Sequence, residues 1–229
     1  MKSKEIFGFY SNVLMVILEL VGLINMLCHG NARNFIFYTT LSNTFALITS
    51  AVYVVGYCRF CKKAKMDNLD NVNLDNEVSP NKLKIISLPR YIRTLRFMSS
   101  ICLTVTFVVV MVVLLPQYLP QGTAYKYLFS GSQTIFHVIC PLLSLLSFFT
   151  FEKGLLNTID VYLATLPTIL YGIIFVILNV VKVVEGPYPF LKVYDQPVYA
   201  SILYFIGILG SAFAFSKLVH WIDNKISKE

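Results

Sequence analysis

Six stretches of this chain run close to the length a bilayer demands: Ile6 to Cys28, Phe35 to Tyr57, Phe97 to Leu115, Gln133 to Phe151, Val161 to Val181 and Val198 to Val219. About 20 apolar residues in a helix cross the hydrocarbon layer. In lipid every backbone N–H and C=O must be satisfied internally, which leaves helices and closed barrels. The stretches are too long and too continuously apolar for barrel strands. The expected fold is therefore all-α: a polytopic bundle of six transmembrane helices forming a single membrane domain over residues 1–229. With 56% apolar and 14% charged residues, the chain is a poor match for a disordered regulator, a disulfide scaffold or a fold with a mostly solvated surface. Lys2 and Lys4 precede the first stretch, but its length and the lack of a small-residue cleavage site make it a retained helix rather than a secretory leader.

Lys and Arg resist translocation and gather on the cytoplasmic side. With a cytoplasmic N-terminus, Lys2, Lys4, Arg59, Lys62, Lys63, Lys65, Lys82, Lys84, Arg90, Arg93, Arg96, Lys153, Lys217, Lys225 and Lys228 fall inside, fifteen of the 19 basic residues. Only Arg33, Lys126, Lys182 and Lys192 fall outside. Both termini are expected in the cytoplasm, and the protein in the plasma membrane as a multi-pass protein. The net charge of +7 then describes a rim facing anionic lipid headgroups and gives no reason to invoke nucleic acid.

The long polar loop, residues 61–96, contains NLDN twice, at Asn68 to Asn71 and Asn73 to Asn76. Carboxylates and amides in alternation suit calcium, yet the glycine and bidentate glutamate of an EF-hand loop are missing, and a solvated loop is the simpler reading. Arg90, Arg93 and Arg96 precede the apolar core of the third helix and are expected to snorkel into headgroups. Cys28, Cys58, Cys61, Cys102 and Cys140 form no disulfide framework, and no metal or organic cofactor is expected. Glu19 lies deep in the first helix, where a carboxyl must face the bundle and find a polar neighbour.

Two helices carry a polar face. On the second, Thr39, Ser42, Asn43 and Ser50 share one side; on the fourth, His137, Cys140, Pro141 and Ser144 do, with the proline bending the helix there. Such groups commonly do no more than pack helices. Both helices start at the outer surface, however, which sets Thr39 and His137 at similar depths. A neutral imidazole beside a threonine hydroxyl is the minimum for an activated nucleophile. Cys140, one turn from His137, is a rival nucleophile, although neighbours on one helix point the same way.

The threonine of FYTTLSN, the histidine opening the fourth helix with Pro141 after it, the YPFL of the last outer loop and the six-helix topology resemble the androgen-induced family of membrane threonine hydrolases over nearly the whole chain. The His-to-Pro spacing, the TTLSN run and the long polar loop depart from the pattern of animal members. The resemblance implies hydrolysis of lipid esters, in animal members those of fatty acids with hydroxy fatty acids, by a threonine and a histidine without a cofactor. Carried onto this chain it selects Thr39, with Thr40 as its rival because the sequence leaves the helix register open, and His137.

In that reading Thr39 attacks the ester and His137 activates water for deacylation. Asn43 and Tyr171 are the candidates for stabilising the oxyanion on reach alone, a need that any acyl transfer has. The proline-rich loop with Tyr188 and Phe190 forms either an interfacial aromatic belt or a lid over an opening for the acyl chain. The alternative from a different class is a small transporter or channel whose polar path runs through Glu19, Asn43 and His137.

Overall fold

The computed structural model describes residues 3–29, 32–72, 88–120, 122–150, 152 and 156–226. Among them all regular structure is helical. The long helices are α1 (Ser3–His29), α2 (Tyr38–Val72), α3 (Arg90–Tyr118), α5 (Ile135–Thr150), α6 (Thr158–Val180) and α7 (Val198–Ile226), with a short α4 (Ala124–Phe129) before α5. Five are long and apolar enough to cross a membrane; the fourth expected span, α5, is a shorter apolar helix. The polar loop is also shorter than expected. Helix α2 continues past its apolar run to Val72, because Lys, Ala, Met and Leu there are good helix formers. The first NLDN copy thus belongs to a helix, and the second lies outside the described residues, as does the calcium expectation attached to it.

Helix α3 is the hub. It is the most apolar of the five spans, with 56% of its central window buried, as suits a helix surrounded by others. It packs against α2, α5, α6 and α7. Phe97, Ile101 and Val105 meet Phe148 of α5, Ala164 of α6 and Ala212 of α7 in the largest apolar cluster. Small hydroxyls close the seams: Ser42 to Thr106 at 2.8 Å and Thr49 to Ser99 at 2.8 Å between α2 and α3, and Ser100 to Ser144 at 2.8 Å between α3 and α5. Inside a membrane such bonds locate helices where apolar contact alone does not discriminate.

Arg93 and Arg96 correct the headgroup expectation. Residues three apart step back by about 60° around a helix, so successive ones face different neighbours. Arg90 pairs with Asp160 of α6 at 3.1 Å, Arg93 with Asp223 of α7 at 2.5 Å, and Arg96 with Glu152, just beyond α5, at 3.0 Å. The side chains are 53%, 10% and 0% exposed in that order. Only Arg90 reaches outward. Arg96 is completed by Ser50, and Glu152 by Asn12 of α1 and Ser147, so four helices and a connection meet at one buried pair. A guanidinium so enclosed is tolerable because its planar donors are matched by fixed acceptors.

Two helices open into wide turns, and both do so for the same reason. The segments Val109–Leu114 in α3 and Ile135–Ile139 in α5 are π-helical, with Leu115 N–H donating to Val110 and Cys140 N–H to Ile135. Each donor immediately precedes a proline, Pro116 or Pro141. A proline inside a helix has no N–H and its ring crowds the carbonyl four residues earlier. Widening the turn relieves that clash and re-satisfies the backbone. The bend foreseen at Pro141 is thus a π turn, and His137 sits in its middle.

Candidate functional site

The first turn of α2 has N–H groups with no helical carbonyl to reach. Thr39 N–H donates instead to the phenolic oxygen of Tyr188, at 3.3 Å, and Thr39 Oγ1 lies 3.4 Å from the same oxygen. Tyr188 belongs to the connection between α6 and α7. It stacks on Phe190 at 5.0 Å with 7° between ring planes and meets Phe37 edge-on.

The connection is folded tightly against the bundle. A Cβ on Gly186 would stand 2.5 Å from the Leu191 carbonyl carbon and oxygen, so only glycine allows the chain to return so closely. Asn179 Oδ1 accepts from Val193 N–H, Tyr194 donates to the Val180 carbonyl, and Gln196 donates to the Phe190 carbonyl. Lys192 is paired with Glu185, which raises the lysine pKa above its ordinary value. Tyr188 and Phe190 are buried, 6% and 7% exposed, so neither stands in an interfacial belt; Tyr194, 61% exposed, does face outward.

Beneath this connection lies a cavity of about 670 Å³, bounded by α3, α6, α7 and the start of α2. That is within the usual range for a small-molecule site. Its walls are mainly aliphatic and aromatic, from Val109 and Val110 of the π turn through Val176 to Ile208. The polar atoms are a group of hydroxyls. Tyr38 and Thr168 share a hydrogen bond of 2.7 Å, Thr39 faces Tyr188, and Tyr171 donates to the Ile36 carbonyl at 2.9 Å. Tyr171, Tyr188 and Phe190 therefore line the cavity as a group, together with Thr39; Asn43 and His137 do not.

Of the adjacent threonines, Thr40 faces away, with its hydroxyl on Met26 of α1 at 3.7 Å. The register left open by the sequence is set by the helix: only Thr39 of the two lines the cavity. Asn43, one turn on, holds α2 to α5. Its Nδ2 donates to the Thr39 carbonyl at 2.7 Å and to the Phe136 carbonyl at 3.3 Å. One amide thus ties the nucleophile candidate's own backbone to the peptide preceding His137. His137 itself is 3% exposed. Gly22 of α1 backs this turn, since a Cβ there would fall 2.4 Å from the Phe136 ring.

The other polar residues have structural duties. Ser42 and Ser50 make the interhelical bonds to Thr106 and Arg96. Glu19 is fully buried in α1 and faces Cys140 of α5. Cys140 packs with Met15, Ala46 and Leu103, on a different side of the bundle from the cavity-lining residues. None of Glu19, Asn43 and His137 lines the cavity. Glu152, Asp160 and Asp223 as arginine partners, and the Tyr38 and Thr168 pair, had no signal in the sequence; four of these residues stand at a helix end or at the edge of an apolar run, where each has an ordinary local explanation. No protein-family model, curated protein or solved structure matches the chain.

Proposed function

We propose that this protein is a membrane-embedded lipid-ester hydrolase with Thr39 as nucleophile and His137 as general base. The observation that carries the proposal is the position of Thr39: among the adjacent threonines at the start of α2, it alone borders the 670 Å³ apolar cavity. A cavity walled by aliphatic and aromatic groups, with several hydroxyls in its lining, suits an acyl chain attached to a polar ester. The likeness of FYTTLSN, His137 and YPFL to membrane threonine hydrolases points the same way.

In the first step Thr39 Oγ1 attacks the ester carbonyl and its proton passes to His137. Collapse releases the alcohol, which takes that proton. Water, deprotonated by His137, then attacks the acyl-threonine and frees the fatty acid. Asn43 acts as a positioning residue that holds α2 and the π turn of α5 in register. The substrate is a lipid ester drawn from the membrane. Exposed Arg59, Lys62, Lys63, Lys217 and Lys225, rather than the enclosed Arg93 and Arg96, are the groups that meet anionic headgroups at the basic end of the bundle.

The test is lipid-ester profiling. Purified protein in detergent micelles is incubated with a panel of fatty-acid esters, and released acid is followed by mass spectrometry. Wild type releases acid from at least one class, and Thr39→Ala lowers that release by 10²-fold or more, on the order expected for loss of a nucleophile. Equal release from the two proteins rejects the assignment.

A further inference from the structure

An acyl-transfer site needs a donor aimed at the oxygen that becomes negative, and the hydrogen bonds around Thr39 leave few groups able to serve. The Asn43 amide has two N–H donors, and both are occupied, by the Thr39 and Phe136 carbonyls. Tyr171 has one hydroxyl proton, given to the Ile36 carbonyl. Ser42 is engaged with the Thr39 carbonyl and Thr106. Tyr38 and Thr168 bond each other.

Tyr188 is different. Its oxygen accepts the Thr39 N–H, so its own proton is not used by that bond. An acceptor for it is Thr39 Oγ1, at a long 3.4 Å. Both residues line the cavity, and the phenol is held by stacking on Phe190 and by its place in a pinned connection. Resting on the hydrolase reading of Thr39, we infer that the Tyr188 hydroxyl is the oxyanion donor of this site and that it also presets the nucleophile.

At rest the phenol donates to Thr39 Oγ1, which leaves the threonine proton for the base. As Oγ1 bonds to the acyl carbon, the carbonyl π pair moves onto the substrate oxygen. The threonine proton goes to His137, and the Tyr188 O–H swings its hydrogen bond to the new oxyanion without giving up the proton. When the pair returns, the bond to the leaving alcohol breaks and the alcohol takes the proton from His137. Burial raises the Tyr188 pKa above its ordinary value of 10.0, while the bonds to Thr39 act in the opposite sense, so the phenol stays protonated through the neutral range. Because the donor sits on a connection anchored at both ends, little reorganisation is needed as charge develops.

The test uses the full-length protein, a chromogenic long-chain acyl ester, the matching thionoester, and an alkyl trifluoromethyl ketone that forms a hemiketal oxyanion on the nucleophile. Removal of one oxyanion donor typically costs about 10² to 10³ in rate. Tyr188→Phe is therefore expected to lower kcat by that factor with KM within about 3-fold, and to weaken the ketone by a similar factor, as transition-state complementarity requires. Wild type should prefer the ester to the thionoester, each normalised to its rate in alkali, because sulfur accepts hydrogen bonds poorly. This measurement needs no variant and covers the case of a Tyr188→Phe protein that does not fold. Thr39-dependent turnover with unchanged kcat and ketone affinity in folded Tyr188→Phe, or with no ester preference in wild type, overturns the role of Tyr188 and leaves the hydrolase standing. Absence of any Thr39-dependent turnover overturns both.

Discussion

Arg96 and Glu152 form an ion pair at 3.0 Å whose side chains are 0% and 1% exposed. Arg90 and Asp160 form one of nearly the same length, with the arginine 53% exposed. Removing one partner of a buried pair strands a charge and costs about 3 to 5 kcal/mol, whereas Asp160, itself buried, loses in Arg90 a half-exposed partner and keeps the bonds from Thr94 Oγ1 and Asn157 N–H. Glu152→Ala should therefore lower the unfolding temperature in detergent far more than Arg90→Ala. Replacing Arg96 and Glu152 together by Met should recover much of the loss. Equal effects of Glu152→Ala and Arg90→Ala would show that the pair is not enclosed in the native protein.

Pro141 sets the π turn that carries His137. Pro141→Ala restores the missing N–H and removes the ring clash, which is worth up to about 3 kcal/mol in a helix interior. The turn is then free to close to an ordinary α-helix, rotating His137 away from its present direction. The expected outcome is an unfolding temperature equal to or above that of wild type, together with a fall in ester turnover of about 10²-fold, as small misplacements of a catalytic group produce. Turnover at the wild-type level in a folded Pro141→Ala protein contradicts a role for the π turn.

Tyr188 also links stability to pH. Its folded pKa is raised above 10.0 by burial, so the unfolded chain loses this proton first as pH rises. The associated stability is complete below pH 10 and is lost as pH climbs from there through the folded value. Once the unfolded phenol is ionised, the loss is about 1.4 kcal/mol per pH unit. Thermal unfolding between pH 8 and pH 11 should show a shallower alkaline decline in Tyr188→Phe than in wild type. Parallel declines would mean that the phenol is not buried.

The helices were legible because each apolar run had to become one, and length alone located five candidate spans and a shorter fourth helix, apart from polar extensions such as Arg59 to Val72 that carry no hydrophobic signal. Arg93 and Arg96 were misread for a physical reason. Their spacing is visible in the sequence, but the carboxylates that receive them arrive from α7 and the end of α5, and single residues at helix ends carry no mark of a distant partner. Thr39 was chosen over Thr40 by resemblance; in the helix adjacent residues differ by about 100°, and of the two only Thr39 lines the cavity. The hydrogen bonds that occupy Asn43 and Tyr171 depend on which carbonyls lie opposite, which no spacing rule reveals.

The most direct test is covalent. Purified protein in lipid nanodiscs is treated with an alkyl fluorophosphonate, digested, and the modified residue located by mass spectrometry. The adduct is predicted on Thr39, abolished in Thr39→Ala, slowed by at least 10²-fold in His137→Ala in keeping with loss of a general base, and blocked by prior incubation with a long-chain ester. Labelling that persists unchanged in Thr39→Ala, or that maps to Cys140 or Thr40, contradicts Thr39 as the nucleophile.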